Sequence, residues 1–289
     1  MAATAQQHEH ALTGSAIRDI RSPEAVLPHA IRHGLCPPGP HIAGMDATPA
    51  ATLVLFRENA AGPPELLMVE RARTMAFAGG AWVFPGGRID PGDEALAALV
   101  APTLDDAPAR IAAIRETVEE TGVAIGFHVA PAALAAMRAH LHAGGAFGPA
   151  LAQAGATLDL SALAPFARWR PAHRHARVFD TRFFLAQAPA DASATVDATE
   201  NSRLAWIGAA ELLAQADAGE ATIIYPTRRN LERLARFAGF AAARADALAH
   251  PVRTITPFVE HRDGADHLCI PDDLGYPVTS EPLTAAVRG

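Results

Sequence analysis

Near Ala50 the spacing of apolar residues changes and a domain begins. ATLVLFRE and ELLMVERAR are short apolar runs separated by a Gly/Pro turn, AAGPP, and they predict two β-strands joined by a loop. After AWVFPGGRIDPGDE comes an alanine-rich stretch. In the following DDAPARIAAIRETVEETG, the apolar residues Ile111, Ile114 and Val118 recur at helical spacing and Gly122 ends the run. RVFDTRFFLAQA alternates like a half-buried strand, and SRLAWI reads as a shorter one. AAELLAQADAG and PTRRNLERLARFAGFAAARADALA read as helices. Strands and helices interleave, so the class is α/β or α+β.

Residues 1–45 read as an extension with one helix-like piece, SPEAVLPHAIRHGL, in which Ser22 can cap and Pro23 can occupy the first turn. Residues 46–245 form the main domain, with an insertion at 94–108, and 246–289 form a C-terminal extension expected to pack on it. Within that extension HRDGADHLCIPDDLGYP predicts ordered loops and a short hairpin. No repeat of solenoid length is present.

Composition narrows the functional classes. Half of the 289 residues are apolar, enough for a sizeable core. The formal charge of −7 and pI near 6.0 argue against bulk attraction to nucleic acid or an anionic membrane, so an anionic substrate must be met by local arginines. There is no lysine, and all 24 basic residues are arginine, which excludes a Schiff-base or P-loop lysine. Cys36 and Cys269 are far apart and fit a reduced cytosolic protein, and they exclude a cysteine zinc site. The N-terminus has no signal-peptide core, and no apolar run is long enough to span a bilayer. The expectation is a cytoplasmic protein, monomeric or homodimeric, with a small-molecule partner and no nucleic acid or membrane partner.

The chemistry is concentrated between Gly86 and Val123. On a helix, positions i, i+3 and i+4 share a face, so Glu116, Glu119 and Glu120 project three carboxylates into one small volume. Alone they repel. A hard divalent cation such as Mg²⁺ makes the cluster favourable, because it takes oxygen ligands and keeps waters that a phosphate can replace. Arg115 stands four residues before Glu119, at ion-pair spacing, and its fork can hold that carboxylate. Gly86 and Gly87 follow the strand-like AWVFP and let backbone approach a ligand or metal closely, with a carbonyl able to complete the coordination.

This segment resembles the signature box of the Nudix hydrolases: a glycine, five residues, an acid, a spacer, then R-E-U-x-E-E-x-G-U with U apolar. Gly87, Arg115, Glu116, Glu119, Glu120, Gly122 and Val123 match. Asp93 stands where the pattern has Glu, Thr117 occupies the first U position, and the spacer is 21 residues where the usual box has seven, so the loop after the glycines is expected to bulge outward. An enlarged spacer is similar to the coenzyme A diphosphatase branch, and the similarity covers roughly Pro49 to Ala241. Gly80 followed by Phe84 to Gly87 resembles the end of the coenzyme A motif, although Ala76 stands where that motif has arginine.

The resemblance implies a mixed β-sheet between helices and metal-dependent hydrolysis of a diphosphate linkage, with Mg²⁺ or Mn²⁺ as cofactor. On that basis Glu116 and Glu120 serve chiefly the metal, Glu119 is a ligand or the base, Arg115 supports them, and Gly86 adds a backbone ligand. Arg71, Arg73, Phe84, Gly87 and Glu200 are the substrate-side candidates, and Glu200 is also the second candidate for the base. The implied substrate is coenzyme A or its acyl form, cleaved to 3′,5′-ADP and phosphopantetheine or the acyl-phosphopantetheine. The alternatives are ADP-ribose, a dinucleotide or a nucleotide sugar, or a non-catalytic nucleotide-binding module. His173 and His175 read as loop histidines, Arg228 and Arg229 as a helix start facing water, and Trp82, Trp169 and Trp206 as packing residues. The kinase-like tripeptide at His261 to Asp263 lacks its companion motifs.

Overall fold

The computed structural model describes residues 47–171, 178–197 and 199–286. The helix-like piece of the N-terminal extension, Cys36, His173 and His175 lie outside the described residues. Strands β1 (Thr48–Arg57), β2 (Glu65–Arg71), β3 (Trp82–Val83), β4 (Gly86–Arg88), β5 (Ala164–Trp169), β6 (Phe179–Gln187), β7 (Asn201–Gly208) and β8 (Thr254–Ile255) form one sheet. Its order is β3-β2-β1-β6-β5-β8, with β4 also on β1 and β7 also on β2. The β1–β6 and β5–β8 pairs are parallel and the others antiparallel, so the sheet is mixed.

The alternation in β1 decides the layering. Ala51, Leu53 and Leu55 point to one face and pack with Ile111, Ile114 and Val118 of helix α2 (Ala107–Thr121). Val54 and Phe56 point to the other face. There they pack with Leu231 and Leu234 of α6 (Tyr225–Leu234) and Ala243 of α7 (Phe240–Ala249). A strand buried on both faces reads as a continuous apolar run rather than a clean alternation, as LVLF does. Because β6 runs along one edge of β1, β2 and β4 share the other: β2 pairs at Phe56 and Arg57, β4 at Ala50 to Thr52. The acidic turn of α2 meets β4 there, through the Gly86 amide and Glu120.

Three differences from the sequence reading have physical reasons. The insertion is not a plain loop: its first half, 94–100, belongs to helix α1 (Pro91–Val100), with Pro91 in its first turn and Asp93 accepting from Asp90 N at 2.9 Å. The long helical segment after Pro226 breaks into α6 and α7, and the Phe240 amide at the new start donates to Glu58 Oε1 at 2.9 Å. Arg229 does not face water. It is 1% exposed and its Nη2 donates to Glu232 Oε1 at 2.8 Å and Glu281 Oε2 at 3.1 Å.

Helices α3 (Pro131–His142), α4 (Phe147–Gln153) and α5 (Ala209–Asp217) complete the layers. Beyond α7, β9 (Phe258–Arg262) and β10 (Ala265–Cys269) form the expected hairpin, extended by β11 (Ser280–Pro282) and followed by α8 (Leu283–Ala286). The 246–289 segment is tied to the domain by β8 and by Tyr276, whose hydroxyl accepts from Trp169 Nε1 at 3.2 Å and donates to Asn230 Oδ1 at 2.7 Å. Trp169 and Trp82 are buried, as packing residues should be. Among the described residues no helix is long and apolar enough to cross a membrane.

Candidate active site

The centre is the last turn and a half of α2. Its backbone stops at Gly122, whose φ of 71° lies in the left-handed region that a Cβ disfavours. The free carbonyls at that end are capped from α3. Arg138 Nε donates to Glu119 O and Nη2 to Glu120 O, both at 2.9 Å, and His142 Nε2 lies 2.8 Å from Glu119 O. Thr117, at a position where the signature expects an apolar residue, is buried because its hydroxyl donates back to Ala113 O at 2.7 Å.

Against this turn lies β4. A Cβ on Gly87 would come within 2.3 Å of Glu116 Oε1, and one on Gly86 within 2.4 Å of Ala51 O, so only glycine lets strand and carboxylate approach this closely. The Gly86 amide donates to Glu120 Oε2 at 2.9 Å. Arg115 ties the helix to α1. Its Nε and Nη2 donate to Asp93 Oδ1 and Oδ2 at 3.0 and 2.9 Å, its Nη1 to Glu116 Oε1 at 2.9 Å, and its Nη2 to Arg88 O at 2.9 Å. Glu119 is farther, at 3.5 Å, and Asp90 at 3.7 Å. The helical pair to Glu119 predicted from spacing is thus present, and the two-pronged bond to Asp93 is the tighter one. It is made across the insertion, and it gives the acid that departs from the box pattern a definite place.

The carboxyls are electrostatically strained. Burial pushes Glu120 up to about 8, with the Glu116 charge adding to the rise, while Asn201 and the Gly86 amide pull it down. Burial also pushes Glu116 up to about 7, offset in part by Arg115. Glu119, with its side chain 30% exposed at the rim, is raised less, again by burial, with Arg115 and His142 opposing.

The remaining candidates divide. Arg71 reaches toward this site: its Nη2 is 3.8 Å from Glu200 Oε2, its Nε donates to Phe77 O at 3.2 Å, and its charge is felt by Glu120. Glu200 is held by its amide, which donates to Asp197 Oδ2 at 2.9 Å, and its carbonyl accepts from Ala72 N at 2.8 Å. Arg73 lies beside Gly80. Phe84 is corrected: it is 3% exposed and packs edge-on to Phe183, 6.5 Å between ring centres, so its ring belongs to the core and is not offered to a ligand. Asn201, Arg138 and Asp197 were not singled out by the sequence, since their contacts with α2 and its neighbours depend on the fold.

No family model matches the chain, and no curated protein matches it. Among solved structures, a Nudix hydrolase from Alicyclobacillus acidocaldarius is 31% identical, with a TM-score of 0.62, covering 70% of this chain and 97% of that one. A MutT Nudix hydrolase from Burkholderia pseudomallei (15% identity, TM-score 0.38, 65% and 98% coverage) is too distant to add to the argument. The same holds for the Nudix domain of Shewanella oneidensis NrtR complexed with ADP ribose (15%, TM-score 0.39, 67% and 89%). With the box residues assembled on α2 and β4, and a 31% identical Nudix hydrolase spanned over 97% of its length, the chain belongs to the Nudix hydrolases, enzymes that act on phosphorus-containing anhydrides.

Proposed function

We propose that the protein hydrolyses the diphosphate of coenzyme A or acyl-coenzyme A, using Mg²⁺ or Mn²⁺ held by the glutamate face of α2. The observation that carries the diphosphatase reading is the pair of buried carboxyls, Glu116 and Glu120, pressed against the glycines of β4.

Whether these residues suit a cation is decided by charge and by donor type. Arg115 is one guanidinium among four carboxylates, those of Asp90, Asp93, Glu116 and Glu119, and Glu120 adds a fifth close by. Ionised together, the buried members repel, and a doubly charged ion offsets that repulsion. Among the described residues no group of three acidic, histidine or cysteine side chains is gathered to hold a metal ion. The cation reading needs only two carboxylates, since Mg²⁺ takes one or two and fills the rest of its shell with water and phosphate oxygens. Glu116 and Glu120 would hold it, with Glu119 at the rim and the Gly86 carbonyl as the backbone ligand. When bound, such an ion polarises the phosphoryl oxygens and lowers the pKa of water.

The chain's own residues account for the rest. Glu119, the most exposed of the three glutamates, receives a proton from the attacking water; Glu200 is the alternative acceptor. The water oxygen bonds to one phosphorus, the bridging P–O bond breaks, and the leaving phosphate monoester departs with the bond's electron pair. Arg71 faces the negative charge of the diphosphate, and Arg115 keeps Glu116 and Asp93 in register. A module that only binds nucleotide would gain nothing from anions clustered beside a phosphate, which weighs against the non-catalytic reading.

The coenzyme A assignment is supported by the Gly80 and Phe84 to Gly87 spacing and by the enlarged spacer. It is tested by a panel of coenzyme A, acetyl-coenzyme A, ADP-ribose, a dinucleotide and a nucleotide sugar, with products identified by mass. We expect coenzyme A to give 3′,5′-ADP and phosphopantetheine with the highest kcat/KM. Turnover of ADP-ribose with coenzyme A untouched would contradict the substrate while leaving the reaction class in place. The expected cytoplasmic setting and monomeric or dimeric state remain part of this proposal.

A further inference from the structure

A glutamate's terminal torsion is broad, so the plane of its carboxylate is set by what surrounds it rather than by its own rotamer. For Glu120 two donors set that plane. The Gly86 amide reaches Oε2 at 2.9 Å, and Asn201 Nδ2 reaches Oε1 at 3.1 Å from the opening residue of β7. Each oxygen keeps another lone pair for a further partner. With Glu120 ionised, the Asn201 side-chain amide must present Nδ2, since turning it over would set its carbonyl oxygen against Oε1.

Asn201 is itself firmly placed. Its side chain is buried at 1% exposure, and its amide donates to Asp197 Oδ1 at 3.2 Å. The other oxygen of Asp197 accepts from the Glu200 amide at 2.9 Å, so one aspartate holds the backbone of both Glu200 and Asn201. The ladder between β2 and β7 shifts register at Arg71, opposite Asn201, an irregularity of the kind that re-aims a side chain. Asn201 Oδ1 is buried and has no donor among the described residues. Buried carbonyl oxygens are rarely left so.

We propose that Asn201 is a positioning residue that fixes the Glu120 carboxylate for the divalent cation, an inference that rests on the cation reading above. The test is Mn²⁺ binding, followed by the spin-resonance signal of the free ion, for the full-length wild type, Asn201→Leu and Glu120→Gln, with thermal unfolding of each. Leucine keeps the volume and removes the donor. We expect Asn201→Leu to unfold cooperatively, to raise the Mn²⁺ Kd about 10- to 100-fold, and to lower kcat more than it changes KM. A folded Asn201→Leu with wild-type Mn²⁺ affinity would overturn this inference alone; a wild type that binds no Mn²⁺ would overturn the cation reading with it. Should leucine prevent folding, Asn201→Ser, whose donor is too short to reach Oε1, is judged by the same two outcomes.

Discussion

Arg115 shows what single residues contribute here, because four of its five donors are divided among a buried carboxylate, a glutamate of the candidate site and a backbone carbonyl. Asp93 is 1% exposed, so removing its partner leaves a charge buried alone. We predict that Arg115→Ala lowers unfolding stability by about 3–5 kcal/mol; a wild-type midpoint in urea would contradict it. Glu232 provides a pH prediction away from the site. Burial pushes its carboxyl up to about 7, against opposition from Arg229 and Arg228. A carboxyl that holds its proton more tightly folded than unfolded adds stability that is complete below the unfolded value, about 4.3, and lost as pH rises through 7. Glu232→Gln keeps an acceptor for Arg229 and removes the ionisation. Its Tm should fall less than the wild type's between pH 6 and 8, and parallel curves would count against the assignment. The three glutamates could be read from sequence because spacing along one helix is local. The Asn201 contact, to a residue 81 positions away, could not.

Among the elements, α2 was the most legible, since its apolar stripe and Gly122 stop signal are both local. Helix α3 was not, because five of its twelve residues are alanine, which favours helix but draws no stripe; only Met137 and Leu141 are buried. Yet α3 caps the glutamate turn of α2 through Arg138. Arg138→Ala should raise amide hydrogen exchange in the last turn of α2 and slow turnover. Gly122→Ala, which forces a Cβ into left-handed backbone, should cost about 1–2 kcal/mol. Unchanged exchange in the first variant would show that Arg138 does not hold the turn. The insertion was visible as length but not as α1, whose role rests on a long-range bond between Asp93 and Arg115.

At the scale of the molecule, one mixed sheet separates two apolar clusters, and the glutamate turn of α2 lies against β4 where that strand pairs with β1. The interleaving of strands and helices was enough to predict this class. Strand order was not, because pairing is set by contacts far apart in sequence. The segment beyond α7 belongs to the same body: removing it takes away β8 and Tyr276, exposing Trp169 and leaving Asn230 without its partner. A chain ending at Ala249 should therefore lose cooperative thermal unfolding, and a wild-type Tm would refute that. The most direct test of the central claim is hydrolysis of coenzyme A and ADP-ribose by wild type and Glu120→Gln, each in Mg²⁺, in EDTA and after Mg²⁺ is restored. The account predicts turnover of at least one substrate that stops with chelator, returns with the ion, and falls by orders of magnitude in the variant. A rate indifferent to EDTA, or an undiminished Glu120→Gln, would contradict it.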